Sequence, residues 1–266
     1  ELEILGHKIT QEICNEFNLI PLDGYITKAK KDYSWLIEAN DQYPIMFYNY
    51  GDFGKIYQPY GDLRFMYFGE KPEHYIFGTK KFLKVWKDAL KGKYPQKPID
   101  KNNTDDDYTN PDNEDERFED LIICSGPSDA LNVYGAGYEV CWFNSESEPI
   151  SNNHLQKLKR ICKQLYVLFD ADETGKRNAQ KIALQDLDIK IISLPEDLGK
   201  YTTNKRDSSG NAKPCKDIKD YMTFYKRGQI NPRYEFKNRL VKLAKQLMFW
   251  TETKFDKGRV SYDISN

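Results

Sequence analysis

The chain has few of the features that mark a membrane protein or a zinc protein. None of its hydrophobic runs approaches the roughly 20 apolar residues that a membrane-spanning helix needs. Its five cysteines include no Cys-x-x-Cys pair, which argues against a structural zinc site of the usual spacing. The first ten residues do not have the pattern of a secretory signal peptide. These absences predict a protein of the reducing cytoplasm with no membrane partner.

The sequence also lacks an excess of charge of either sign. Its formal net charge is −1, so any attraction to nucleic acid must come from local blocks. Residues 80–97 contain seven Lys and one acid, and the interleaved aromatics could stack on bases along a phosphate backbone. The alternative is an ordinary exposed helix whose apolar face holds Phe82, Val85, Trp86 and Ala89.

An acidic stretch divides the chain into two parts. Pro98 to Asp120 holds ten acids, two bases and two Pro, and such a segment buries too little apolar surface to order itself. We interpret it as a linker after a small basic N-terminal subdomain, residues 1–97. That subdomain has aromatic-rich runs from Tyr43 to Gly78, which predict a small antiparallel sheet. It also has a helix predicted over Ile9–Phe17 with Thr10 as the cap.

After the linker, short apolar runs alternate with helical patterns. The runs are Leu121–Cys124, Tyr138–Phe143, Leu165–Phe169 and Ile189–Ser193. This rhythm is typical of a mostly parallel sheet flanked by helices, and it predicts an α/β domain over residues 121–227. Residues 228–266 are predicted to be a helical extension, because Pro232–Trp250 has helical apolar spacing.

Two aspartates, Asp170 and Asp172, follow the apolar run Leu165–Phe169 directly. Ligands of open parallel sheets gather beyond the carboxyl ends of the strands. Two close carboxylates repel each other unless they share a cation, and Mg²⁺ is typically held by one or two carboxylates. The alternative is a helix cap with a second Asp at the helix dipole. Asp217 and Asp220, before a last helix, could add to the same acidic patch or cap that helix.

Three motifs in order resemble the TOPRIM domain of phage and mobile-element primases and primase-helicases. They are "GPSDAL", "DADETGKRNA" and "KDIKDYM", each beside the expected strand or helix. The resemblance covers about Leu121 to Arg227. The N-terminal part is weakly similar to the small basic subdomain that precedes TOPRIM in phage-type primases. The sequence contains neither a primase zinc ribbon nor a P-loop helicase signature.

The resemblance implies a DNA primase that makes RNA primers on single-stranded DNA from nucleoside triphosphates. It implies that Asp170 and Asp172 bind Mg²⁺ or Mn²⁺ and that Asp129 is a third catalytic carboxylate. A replicative helicase domain or protein is an implied partner, and the segments 28–31 and 80–97 would guide the template. The residues implied to bind nucleotide or nucleic acid are Lys55, Arg64, Lys176 and Arg177.

One position departs from the family pattern. Ser125 stands where TOPRIM enzymes usually have a Glu, and a hydroxyl cannot relay a proton as a carboxylate does. We considered Glu146 or Glu148 as a substitute, against the alternative that both are solvated loop acids. The departure leaves open a catalytically impaired module that binds DNA without synthesis. A TOPRIM nuclease and a structural α/β domain whose acids cap helices are further alternatives.

Overall fold

The computed structural model describes residues 2–28, 34–61, 63–93, 117–145, 148–186, 188–206 and 209–241. In these residues an antiparallel N-terminal sheet precedes a mostly parallel sheet flanked by helices. This arrangement confirms the predicted α/β class with a small α+β part before it. No helix among the described residues is long and apolar enough to cross a membrane.

The N-terminal part consists of a short helix and antiparallel strands. Helix α1 (Gln11–Glu16) begins after Thr10, whose side chain accepts a hydrogen bond from the Ile13 N–H, as predicted. The strands are β1 (Leu19–Leu22), β2 (Gly24–Lys28), β3 (Ser34–Glu38), β4 (Ile45–Asn49), β5 (Phe53–Tyr57) and β6 (Phe65–Gly69). The order β1-β4-β5-β6 forms one sheet, and β2 pairs with β3 in a separate hairpin. Gly51, with φ of 93°, forms the tight turn between β4 and β5.

The second sheet contains all four apolar runs that predict strands. Its members are β7 (Phe77–Gly78), β8 (Phe118–Cys124), β9 (Glu139–Trp142), β10 (Cys162–Leu168) and β11 (Lys190–Ile191). The order is β11-β10-β8-β9-β7, with every pair parallel except β9 and β7. Strand β8 begins within the stretch predicted to be a linker. Residues 94–116, most of that stretch, lie outside the described residues.

Helices cover both faces of this sheet, which explains why the last four residues of β8 and of β10 are all apolar and buried. They are α2 (Lys80–Leu90), α3 (Pro127–Gly135), α4 (Asn152–Arg160), α5 (Glu173–Ala183) and α6 (Ile218–Phe224), and residues 232–241 are also helical. Ile122 and Cys124 point into a core that includes α3 and α6. Leu121 and Ile123 point into the opposite core, with α2, α4 and α5.

The N-terminal part shares a core with the parallel sheet. Trp142 of β9 is fully buried, and its ring stacks on Phe17 at 5.5 Å and on Phe77 at 5.8 Å. Strand β7 and helix α2, both from before the acidic stretch, pack on the same strand, β9. These contacts join the two parts in one core. The division of the chain at residue 97 remains a prediction.

The lysine-rich stretch forms an amphipathic helix where the structure describes it. In α2 the predicted apolar face, Phe82, Val85, Trp86 and Ala89, is buried against the sheet. The lysines of the helix are exposed. This geometry accounts for the aromatic residues as core, so their proposed stacking on bases loses its support. The part of the stretch from residue 94 onward lies outside the described residues, as do residues 29–31 and 242–266.

A short β-hairpin lies in the chain between strand β11 and helix α6. Its strands are β12 (Thr202–Arg206) and β13 (Ala212–Pro214), which pair in antiparallel fashion.

All five cysteines are buried and unpaired. These thiols are therefore small core residues, as predicted for Cys124, Cys141 and Cys162.

Candidate metal centre and basic cluster

Five aspartates gather at the carboxyl edge of the parallel sheet. Strands β8 and β10 run in parallel, and each is followed by a turn and a helix that begin on the same side. A third turn, before α6, lies against the turn after β10, because the Ala171 N–H donates to the Lys216 carbonyl at 2.7 Å. We call this group the acidic edge, and its members are Asp129, Asp170, Asp172, Asp217 and Asp220.

Asp170 and Asp172 converge on a single cation. The Lys216 Nζ lies 2.7 Å from Asp170 Oδ2 and 2.9 Å from Asp172 Oδ2. Asp172 also caps helix α5, because its Oδ1 accepts a hydrogen bond from the Gly175 N–H at 2.9 Å. That hydrogen bond and the one from Lys216 hold the pKa of Asp172 below its usual range. Asp172 therefore combines the two roles considered from the sequence. Its Oδ1 caps helix α5, and its Oδ2 faces a cation, here the ammonium group of Lys216.

Gly175 lets helix α5 approach the backbone of Asp170 closely. A Cβ at this position would lie 2.3 Å from the Asp170 carbonyl oxygen, far inside van der Waals contact. A glycine is therefore required for the first turn of α5 to lie over the end of β10. This close contact fixes where Asp170 and Asp172 leave the sheet.

Asp129, in the first turn of α3, is the most enclosed of the acids. Its side chain is 8% exposed, and its Oδ2 accepts a hydrogen bond from the Ser125 hydroxyl. Its Oδ1 is buried and has no hydrogen-bond partner among the described residues. Burial raises the pKa of Asp129 well above its usual range, and the charges of Asp217 and Asp170 raise it further. An unsatisfied buried oxygen beside other acids is the environment that a cation would stabilise.

Asp217 and Asp220 complete the edge from the start of α6. Asp217 Oδ1 accepts a hydrogen bond from the Asp220 N–H at 2.7 Å, and Asp220 Oδ2 accepts one from the Lys216 N–H at 3.1 Å. Burial, and then the charge of Asp220, raises the pKa of Asp217 to about 7. The two acids therefore cap the helix and also add negative charge to the edge.

The acidic edge fits a hard divalent cation held by few protein ligands. Among the described residues, no three His, Cys, Asp or Glu side chains are arranged to hold one ion. Two carboxylates, Asp170 and Asp172, nonetheless lie within 3 Å of the same ammonium nitrogen. Mg²⁺ commonly takes one or two carboxylates and completes its shell with waters and phosphate oxygens. Asp170 and Asp172 suit that mode of binding, in which the protein supplies only part of the coordination shell of the ion.

Three basic residues from distant parts of the chain act electrostatically on Tyr57, which is buried in β5. We call them the basic cluster: Arg64, Lys205 and Lys219. Burial alone would raise the pKa of Tyr57, but the charges of Lys219 and Arg64 lower it. Burial, and then Arg64 and Lys219, lower the pKa of Lys205. Three cationic side chains whose charges act on one buried tyrosine form a favourable place for an anion such as phosphate.

Helix α6 carries residues of both the basic cluster and the acidic edge, and the Lys219 Nζ donates to the Ile4 carbonyl. Lys219 lies between Asp217 and Asp220 in the sequence, and the charge of Asp217 also acts on Lys205. Arg64 was predicted as a binding residue from the family resemblance. Lys219 lies inside the third motif, which could have suggested it. Lys205 belongs to no motif, and no sequence pattern indicates it.

The other three basic residues predicted to bind nucleotide or nucleic acid, Lys55, Lys176 and Arg177, are not members of the basic cluster. Lys55, in the middle of β5, is 6% exposed, and its Nζ lies 4.3 Å from the ring centroid of Phe65 and 5.4 Å from that of Tyr67. Burial, and then Lys71, lowers its pKa to about 8. Lys176 and Arg177 are exposed in the first turn of α5. The Lys176 Nζ lies 3.4 Å from Glu173 Oε1.

No described contact supports a second acid in place of the missing Glu. Glu148 accepts a hydrogen bond from the Asn144 N–H at 3.1 Å and lies 3.7 Å from His74 Nδ1. Its described contacts are therefore with the loop after β9 and with the N-terminal part. Glu146 lies outside the described residues. Ser125 itself donates to Asp129, so it lies at the acidic edge as a hydrogen-bond donor without charge.

A comparison with known families covers part of this edge. Residues 122–202, which include Asp129, Asp170 and Asp172, match the family described as Toprim-like. This part of the chain is similar to that family. The match includes the first two of the three motifs and ends before the third, so the resemblance predicted from the sequence is confirmed over this span. No curated protein matches the sequence.

Two solved primase structures are similar to the chain at low identity. The zinc-binding and RNA polymerase domains of the Aquifex aeolicus primase are 12% identical, with a TM-score of 0.51. That match covers 91% of this chain and 54% of the Aquifex chain. The primase fragment of the bacteriophage T7 primase-helicase protein is 14% identical, covers 86% of this chain and 70% of its own, and has a TM-score of 0.46. At these identities, the Aquifex similarity concerns the fold alone.

Proposed function

We propose that the chain is a primase-like protein that carries out metal-dependent nucleotidyl transfer and makes RNA primers on single-stranded DNA. The observation that supports this most is that groups of opposite charge meet at helix α6, where Lys219 lies between Asp217 and Asp220 and the charge of Asp217 acts on Lys205. The acidic edge suits a divalent cation, and the adjoining basic cluster suits phosphate groups. A nucleoside triphosphate bound to Mg²⁺ needs both kinds of partner at once.

Each group would then have a defined task. Asp170 and Asp172 would hold the cation, which, when bound, neutralises charge that develops on the phosphates. Arg64, Lys205 and Lys219 would bind and orient the triphosphate. Such positioning accounts for most of what a protein contributes to phosphoryl chemistry.

Asp129 would act on the metal ligands without chemistry of its own. It is buried at the edge, and the charges of Asp217 and Asp170 act on it. Residues behind a metal site typically orient its ligands or waters.

The resemblance adds further expectations that we carry here as proposals: a cytoplasmic role in phage or mobile-element replication, with a replicative helicase domain as partner. Lys55, Lys176 and Arg177 remain candidates for contacts with nucleotide or template.

One observation favours a second candidate, a module that binds DNA without synthesis. Ser125 supplies a neutral hydroxyl to Asp129 where the related enzymes usually have a carboxylate. The edge therefore has one negative charge fewer for cation binding. In this alternative the basic cluster would still attract a phosphate backbone.

The decisive assay is the incorporation of labelled ribonucleotides on single-stranded DNA templates, with Mg²⁺ or Mn²⁺ and with a chelator. The proposal expects products whose sequence follows the template, lost with chelator and lost in Asp170→Ala/Asp172→Ala. DNA binding without products would support the impaired module. Metal-dependent cutting of the template would support the nuclease. Absence of binding, synthesis and cutting would leave the domain a structural role.

A further inference from the structure

Lys216 holds the position at which a divalent cation would neutralise the acidic edge. Its ammonium nitrogen lies within 3 Å of one oxygen of Asp170 and one of Asp172. The Asp170 side chain is 13% exposed and that of Asp172 is 39% exposed. Two carboxylates one residue apart repel each other strongly where water is excluded. The ammonium group therefore supplies the positive charge that this pair needs in the absence of metal.

The backbone around Lys216 is fixed independently of its side chain. The Lys216 N–H donates to Asp220 Oδ2 at 3.1 Å, and its carbonyl accepts from the Ala171 N–H at 2.7 Å. The side chain is 52% exposed, so the four-carbon stem has solvent into which it can turn. The ammonium can leave the carboxylates while the turn before α6 stays in place.

We propose that Lys216 is an internal cation that occupies the acidic edge until a divalent metal displaces it. The inference rests on the proposed function, because it assumes that Asp170 and Asp172 bind metal. A metal ion and an ammonium group at the same two oxygens would repel each other strongly, so binding of one disfavours the other. Metal loading is therefore a competition, and Lys216 sets the metal affinity of the free protein. It also keeps the carboxylates in place before loading.

The test replaces Lys216 by Met, which keeps a long side chain and removes the charge. Lys213→Met is the matched control, because Lys213 is exposed in β13, close by in the sequence. Mn²⁺ binding to the full chain is measured by calorimetry for the wild type and both variants. We expect Lys216→Met to tighten Mn²⁺ binding by about tenfold, and Lys213→Met to change it by less than about twofold.

A second readout does not depend on activity. Without metal, Lys216→Met should unfold at a lower temperature than the wild type, because its carboxylates lose their counter-charge. Saturating Mn²⁺ should remove this difference. Lys216→Gln provides the same comparison with a polar side chain if the Met variant folds poorly.

The outcomes separate this inference from the proposed function. If the wild type binds Mn²⁺ and neither Lys216 variant binds it more tightly, Lys216 is not a competitor and the inference is overturned, while the metal site stands. Weaker binding in both variants would also overturn it, since it would make Lys216 a support of the metal-bound state. If the wild type and the variants all fail to bind Mn²⁺, the inference and the proposed metal site fail together.

Discussion

Two pairs of aspartates in this chain have the same spacing, and each pair shares one lysine. They lie at opposite ends of the strands of one sheet, which we call its carboxyl edge and its amino edge. Asp170 and Asp172 follow β10 at its carboxyl end and share Lys216. Asp186 and Asp188 precede β11 at its amino end and share Lys159, whose Nζ lies 2.6 Å and 2.8 Å from their oxygens. The side chains of Asp170 and Asp186 are almost equally enclosed, at 13% and 12% exposed.

The surroundings of the two pairs differ in their balance of charge. Around Asp186, burial tends to raise its pKa, but hydrogen bonds from Lys159, the Asp188 N–H and Gln156 lower it. The pair at the carboxyl edge has Asp129 and Asp217 beside it, and both of those have raised pKa values. One pair is a satisfied ion pair, whereas the other lies among buried carboxyls that resist ionising together without a further counter-charge. The Asp-x-Asp spacing therefore does not identify a metal site without its place in the sheet.

The largest expected difference between the two edges is in catalysis. Asp170→Asn should lower the rate of template-dependent synthesis by about a hundredfold or more, because it removes charge from the cation site. Asp186→Asn is the matched control and should keep the rate within about twofold. Equal losses in the two variants would show that the effect comes from folding and would remove the contrast.

The two edges should also respond oppositely to pH. A raised pKa means that the folded state binds its proton more tightly, so the contribution of Asp217 to stability is full below about pH 4 and is lost as pH rises through about 7. Asp186 has a lowered pKa, so its contribution is present above about pH 4 and is lost as pH falls through its folded pKa.

Chemical unfolding in a chelator between pH 5 and pH 8 measures this difference. Relative to the wild type, Asp217→Asn should gain about 2 kcal/mol in free energy of unfolding across that range, and it can still cap α6. Asp186→Asn should lose stability by the same amount at both pH values. Parallel curves for the wild type and Asp217→Asn would contradict the account of the carboxyl edge.

The basic cluster sharpens the comparison, because it adjoins the acidic edge at α6. Lys205→Met should raise the KM for nucleoside triphosphate by about tenfold, since one phosphate partner is lost. Lys213→Met, in the partner strand of the same hairpin, should leave KM nearly unchanged. An equal effect of both variants would indicate general attraction by the hairpin and no specific phosphate contact.

The smallest effect is expected at the amino edge. Lys159→Met should cost about 1 kcal/mol in free energy of unfolding, because it leaves Asp186 enclosed without its counter-charge. Thermal unfolding with and without Mn²⁺ checks this. The ion should not restore Lys159→Met, although it should restore Lys216→Met. Recovery of both by Mn²⁺ would mean that either pair binds the ion.

Much of the parallel sheet could be predicted from the sequence, because its signal is local. Each apolar run such as Leu165–Phe169 is buried on both faces, so it stands out from the helices around it. The aspartates follow such runs, and the ends of parallel strands meet at one edge. Their proximity therefore follows from the topology. The helix cap at Thr10 was predicted for the same reason, since capping depends on a few neighbouring residues.

The remaining features depend on contacts between distant residues. The pairing of Phe77–Gly78 with β9 joins an aromatic run of the N-terminal part to the other sheet, and nothing in its composition indicates that partner. Arg64 and Lys205 come together around Tyr57 although most of the chain's length separates them. The position of Lys216 between two carboxylates could not be predicted either, because a lysine in a motif has many possible partners.

The most direct test of the metal centre is a calorimetric Mn²⁺ titration of three proteins: the wild type, Asp170→Ala/Asp172→Ala and Asp186→Ala/Asp188→Ala. The account predicts saturable binding in the wild type and in the amino-edge variant, and loss of that binding in the carboxyl-edge variant. Saturable binding that survives in Asp170→Ala/Asp172→Ala, or that disappears equally from both variants, would contradict the assignment of the cation site to the carboxyl edge.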